Sequence, residues 1–427
     1  MSLSFRLRPA AVTLVAAVLA VGCGEERPPP APPRDMAITF DAGDGGFIDG
    51  DAAVEDLGVP HADASVVTCH VEGEALTLAT DVVDNSVRFA DVAVSGPMFA
   101  VAWTDARSGV ADAYVYAWPS GAPTGTEIRI TDDFSPTRDV RIVPRADGFT
   151  VAWVDTTAGS FEVFARPLGS TGALESTAKQ LTHNELREDS LSLASLAGGS
   201  TLAAWLESDG LGGPPIAYAV PLDSLANVVG TAEVATVPPR APLDFSLTSL
   251  GTGAALAWTE SGIVYLQPLT AAGAVLGDAT VINTEGNASG TPALALGDSG
   301  GGVAFGALIA GARQEVRMRT VDAAGALVGP EAIVTPPPST GSDPAIAPFA
   351  GGYVVASRTT AGASGSVRIS FATALGEFSS SLEVAATGST LGSGPRLAIA
   401  ADGRMLVAWM ETDGTTATFR AARVVCD

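Results

Sequence analysis

Seven copies of one short apolar phrase predict an all-β fold, a seven-bladed β-propeller of four-stranded blades. Five copies carry tryptophan: Val101-Ala102-Trp103, Val151-Ala152-Trp153, Ala203-Ala204-Trp205, Leu256-Ala257-Trp258 and Val407-Ala408-Trp409. Two lack it, at Val303-Ala304-Phe305 and Val354-Val355-Ala356-Ser357. From Trp103 through Trp153, Trp205, Trp258, Phe305 and Ser357 to Trp409 the steps are 50, 52, 53, 47, 52 and 52 residues. A near-constant period of that size, without helical patterning inside it, marks a ring of small sheets. Two further observations agree with it: a second count taken on the fourth strands, and the placement of two cysteines.

Each unit reads as four strands in order. The first is a short alternating stretch, as in Leu191-Ser192-Leu193-Ala194. A tight turn such as Ala146-Asp147-Gly148 leads into the second, which carries the anchor phrase. A polar loop precedes the third, as in Ala113-Tyr114-Val115-Tyr116, and a glycine turn such as Ala323-Ala324-Gly325 precedes the fourth, as in Glu127-Ile128-Arg129-Ile130-Thr131. Period-two alternation, β-branched residues and regular turn clusters are strand signals. Trp103, Trp153, Trp205, Trp258, Phe305 and Trp409 are expected to be structural anchors filling the wedges between twisted blades. Burying one such ring removes on the order of 200 Å² from water and is worth a few kcal/mol. A looser or differently filled wedge is expected where Ser357 stands.

The fourth strands end at Thr131, Thr182, Thr236, Asn283, Thr335 and Thr387, one fewer than the anchors. The missing copy lies ahead of the first blade, at Leu76-Thr77-Leu78-Ala79-Thr80, 51 residues before Thr131. The N-terminal strand is therefore expected to complete the last blade. Cys69 lies just before that strand and Cys426 just after the last C-terminal one. If both strands share a sheet, the two cysteines meet, and an exported protein sees an oxidising compartment. A Cys69–Cys426 disulfide is expected to staple the ring, worth roughly 5 kcal/mol by loop-entropy arithmetic.

The chain before the ring has its own character. Arg6 and Arg8 precede an apolar run from Ala10 to Val21, too short for a stable membrane span. The run ends Leu19-Ala20-Val21-Gly22-Cys23. These small residues before a cysteine resemble a bacterial lipoprotein signal, with leucine four residues ahead of the cysteine. The resemblance implies a signal peptide over 1–22, cleavage before Cys23, and lipid on Cys23 as membrane anchor. Gly24 follows, with no aspartate to suggest inner-membrane retention. Residues 23–68 hold a polyproline stretch, Pro28-Pro29-Pro30-Ala31-Pro32-Pro33, then an aspartate- and glycine-rich run, and read as a disordered tether. Residues 69–427 are assigned to the propeller. This segment resembles the loose class of bacterial surface lipoproteins with divergent propeller repeats, which implies an outer-membrane or cell-surface location.

Composition narrows the function. The formal net charge is -24, and Lys179 is the only lysine. Such a surface repels phosphate backbones, which excludes nucleic acid as a natural partner. Only three histidines occur, His61, His70 and His183, and no paired-histidine or CxxC spacing exists, so neither a conventional zinc site nor a serine triad is supported. Loops between second and third strands share a face with the inter-blade loops. The first set carries Asp105, Asp155, Glu207, Glu260 and Glu411; the second carries Asp132, Asp133, Glu188 and Asp189. Asp91, Asp139, Asp244 and Asp343 stand at the entrances of first strands, which line the central channel. They either cap turns or form a partial acidic ring that takes Ca²⁺ or a basic ligand; no other cofactor is implied. The expected role is a monomeric, non-enzymatic binding module for a protein or glycan, using the acidic loop face. The alternatives are an envelope-assembly scaffold and an extracytoplasmic glycan hydrolase or lyase.

Overall fold

The computed structural model describes residues 68–83, 90–122, 124–210, 213–236, 242–284, 287–309, 313–361, 364–387, 390–412 and 416–427. The signal peptide, Cys23 and all but the last residue of the tether lie outside these.

Seven four-stranded antiparallel sheets follow one another along the chain. Blade one is built from Ala90–Ser95, Met98–Asp105, Asp112–Pro119 and Thr126–Arg129. Blades two to six repeat the order, their first strands being Arg138–Arg145, Arg187–Ser195, Phe245–Leu250, Asn287–Gly297 and Ser342–Phe349. Blade seven takes Thr390–Ile399, Met405–Thr412 and Thr416–Cys426, and the N-terminal strand Cys69–Val83 is its outermost member. First strands touch first strands from each blade to the next, and that of blade seven meets that of blade one, so the ring is closed. Cys69 lies directly opposite Cys426 in the final ladder, and their sulfurs are joined. Two strands 357 residues apart in sequence are thus held in one sheet by covalent as well as backbone bonds.

The second strands are buried along most of their length because each lies inside its sheet with a blade on either side. Trp103, Trp153, Trp205, Trp258, Phe305 and Trp409 are all buried, each packed against the second strand of the preceding blade. In blades one to four the indole also stacks on the aromatic ring directly opposite it on the third strand. The pairs are Trp103–Tyr114 (5.9 Å), Trp153–Phe164 (6.1 Å), Trp205–Tyr218 (6.5 Å) and Trp258–Tyr265 (5.3 Å). Such cross-strand aromatic pairs add to area burial. In blades five to seven an arginine takes that place: Arg317, Arg368 and Arg420. Between blades five and six, where Ser357 replaces the ring, the core holds Met318 and Tyr353; a cavity of about 580 Å³ between these blades lies at the end of the strands that carries the Gly297–Gly300 and Phe349–Gly352 turns, and Ser357 is not among its lining.

The threonines that end fourth strands have a defined task. Thr131 Oγ1 accepts from the Ala113 backbone N–H, Thr182 from Val163, and Thr335 from Val316, at 3.0, 2.9 and 2.8 Å. Asn283 Oδ1 does the same for Val264 at 2.8 Å. The fourth strands of blades two, four and five are only two residues long, so there the side chain replaces a ladder bond that the strand is too short to make. The third-strand N–H groups they satisfy are buried, where an unpaired donor is costly.

Candidate functional site

Each first strand enters the ring at the face that carries the inter-blade loops, and in five of the seven blades it is bent there. The ladders of blades two, three, five, six and seven skip residues near the start of the first strand. Asp139, Ser190, Gly290 and Asp343 adopt positive φ of 51, 53, 73 and 50° at these breaks. A bulge re-aims the side chains on either side of it, and here it turns polar groups toward the axis.

At one level, one residue per blade lies opposite the alanine that precedes the anchor. The seven are Asp91, Arg141, Ser192, Ser246, Ala293, Ala345 and Arg396. They line a cavity of about 520 Å³, open at the loop face, together with Asp244, Thr291, Asp343 and Arg358. A second cavity of about 390 Å³ shares Asp343 and Arg358 with it and runs out between blades five and six, past Ser289, Gln314 and Ser342. The channel mouth thus continues outward on the side of the two blades that present alanine. Gly394 of blade seven packs against Asp343: a Cβ there would overlap the aspartate's side chain.

Of the two readings open for the first-strand aspartates, turn caps or a partial acidic ring, the mouth does not show a purely acidic ring. Asp91, Asp244 and Asp343 line it, but Arg141, Arg358 and Arg396 stand among them. Asp139 is outside the cavity; it lies buried beside Arg138 and Asp189, with burial pushing its carboxyl up. Among the described residues no group of three or more His, Cys, Asp or Glu side chains is placed to hold a metal ion.

Two of the aspartates in the mouth, Asp91 and Asp244, are committed to the ring. Asp91 accepts from the N–H of Val92 at 2.9 Å and from that of Ile142, on the next blade, at 3.1 Å. Burial raises its pKa, opposed by Arg141. Asp244 accepts from Phe245 N–H at 2.9 Å and from Thr291 Oγ1 of the next blade at 2.5 Å. Asp343 accepts from Ser342 Oγ at 3.0 Å. Ser192 and Ser246 clasp the following blade in the same way, through Leu247 N–H and Pro292 C=O. Arg396, by contrast, donates only to the carbonyl of Pro395, its own neighbour, and forms no ion pair with a described carboxylate. Burial lowers its pKa and Arg141 lowers it further, while Asp91, Asp244 and Asp343 pull the other way.

Several loop-face carboxylates are internal. Asp105 and Asp155 are buried and cap their own turns, accepting from Arg107 N–H (2.9 Å) and Thr157 N–H (2.8 Å); Asp155 also holds the Trp153 indole N–H at 2.7 Å. Glu188 is fully buried between Glu162 and Glu207, and neither of its oxygens has a hydrogen-bond partner. Burial first, then the charges of Glu162 and Glu207, push its pKa up to about 8.

The arginines escape a reading based on acidic residues, yet a signal for two of them exists. Arg141 and Arg396 occupy the repeat position of Asp91, so aligning the blades on the pre-anchor alanine places them at once. Arg358 follows the substituted anchor Ser357 and has no such counterpart.

No family model matches the chain, and no curated protein matches it. Solved structures do. The chain is similar to the β-propeller domain of the trilobed protease of Pyrococcus furiosus, at 10% identity and a TM-score of 0.44, over 78% of this chain and 94% of that one. It is similar to the acylaminoacyl peptidase of Pyrococcus horikoshii at 10% identity and 0.44, covering 78% of this chain and 52% of that one, so it spans about half the peptidase's length. The polysaccharide lyase Uly1 gives 8% identity and 0.46, over 82% and 91%. Activity does not transfer at such distances.

Proposed function

We propose that this protein is a non-enzymatic binding module of the bacterial cell envelope, lipid-anchored through Cys23, whose ligand enters the channel mouth on the loop face. The observation that carries this reading is the cavity of about 520 Å³ to which all seven blades contribute polar side chains. Its volume falls in the range of small-ligand sites. Asp91 and Asp244 hold neighbouring first strands together through backbone and hydroxyl donors, which suits a preformed recognition surface better than proton transfer.

Protease shaving of intact cells, followed by affinity capture with the full-length protein, tests location and binding together. The same capture is run with Ser393→Trp, which fills the mouth from blade seven. A bound species lost with Ser393→Trp supports the reading; capture that persists with the mouth filled refutes it. Labelled fatty acid that still incorporates after Cys23→Ser would remove the anchor.

A further inference from the structure

We infer that the channel mouth takes a carboxylate-bearing, polyhydroxylated ligand of the uronic acid class. This rests on the mouth being the binding site, as proposed above, and specifies what binds there.

The charges in the mouth are not equally available. Asp91 and Asp244 each receive two hydrogen bonds from the fold, and Asp343 receives one. Of the guanidinium groups, Arg396 uses one nitrogen on a neighbouring carbonyl, and neither it nor Arg358 pairs with a described carboxylate. A guanidinium carries five N–H donors in a fixed fork that matches a carboxylate. The mouth therefore keeps guanidinium donor capacity that no described carboxylate takes up, although the whole chain is strongly acidic. Distant surface carboxylates weigh little against it, because salt screens them beyond about 8 Å.

The remaining lining fits hydroxyl groups. Ser393 lines the mouth, as do Thr291, Ser192 and Ser246, which already bond a neighbouring blade and keep hydroxyl capacity for a further hydrogen bond; no tryptophan lines it. The connected cavity between blades five and six adds Ser289, Gln314 and Ser342. That extension leaves through the one wedge without an aromatic anchor, so a monomer bound at Arg396 has space for further units toward Arg358.

The test is isothermal calorimetry and thermal melting of the full-length protein with D-galacturonate, tri-galacturonate, D-galactose and CaCl₂. Galacturonate is expected to bind and raise Tm, and the trimer to bind at least tenfold tighter. D-Galactose and Ca²⁺ are expected to give neither heat nor a shift. Arg396→Gln and Arg358→Gln should each weaken the trimer at least tenfold. Arg358 has no ion pair to lose, so Arg358→Gln should leave the melting of the free protein unchanged. The inference is overturned if galacturonate and its trimer do not bind, if galactose binds equally well, or if binding survives both substitutions. Should that happen while Ser393→Trp still abolishes capture, the site stands and its ligand class is wrong. If capture also persists with the mouth filled, the site itself is wrong.

Discussion

Glu188→Gln is expected to leave stability unchanged near pH 4.5 and to raise it at pH 8. Glu188 is fully buried, lies directly opposite Glu207 across the ladder, and has no hydrogen bond to either oxygen. Burial and the charges of Glu162 and Glu207 lift its pKa from the ordinary 4.5 to about 8. The folded protein then keeps a proton that the unfolded chain has released. The stability contributed by the neutral carboxyl is whole below pH 4.5, falls as pH rises toward 8, and is gone above it. Each tenfold change in proton affinity is worth about 1.4 kcal/mol, so the loss across this window reaches up to about 5 kcal/mol. Glutamine keeps the shape and cannot ionise. Urea melts of both proteins at half-unit steps from pH 4.5 to 9 measure the difference directly. Curves that stay parallel between pH 5 and 8 would refute the account, as would a glutamine variant that is the less stable at pH 8. Titrating groups not coupled to Glu188, including Asp139, whose pKa burial also raises, cancel in the comparison; the coupling to Glu162 and Glu207 is part of the difference measured.

Two further outcomes follow from the ring. Cys69→Ser with Cys426→Ser should cost roughly 5 kcal/mol, because the bridge closes a 357-residue separation; chemical unfolding under oxidising and reducing conditions would show it. A wild type equally stable in both would mean that the staple contributes nothing. Thr335→Val keeps the shape of the side chain but orphans the buried Val316 N–H, and should cost about 1–3 kcal/mol. Faster amide exchange at Val316 would accompany it, and unchanged protection there would count against the hydrogen bond's role.

How much was legible beforehand differs from element to element. The anchors were readable because burial repeats locally: a tryptophan after two or three small apolar residues, every fifty or so residues, needs no knowledge of the partner blade. These threonines and Asn283 were legible as markers but not as hydrogen-bond acceptors, since the N–H each one serves lies 18 or 19 residues away on another strand. Asp105 and Asp155 read as exposed charge because their turns are polar; only the folded loop shows each carboxylate folded back onto its own backbone.

The sequence by itself determined the blade count, the closure by the N-terminal strand and the pairing of Cys69 with Cys426. These follow from period and order along the chain, and both are one-dimensional quantities. Tertiary structure alone decided the character of the channel mouth. Asp91, Arg141 and Arg396 meet there because ring curvature and first-strand bulges bring together positions some fifty to three hundred residues apart. Which charges remain available was decided last, by hydrogen bonds between blades that engage Asp91 and Asp244 while Arg358 and Arg396 line the mouth without pairing with a described carboxylate.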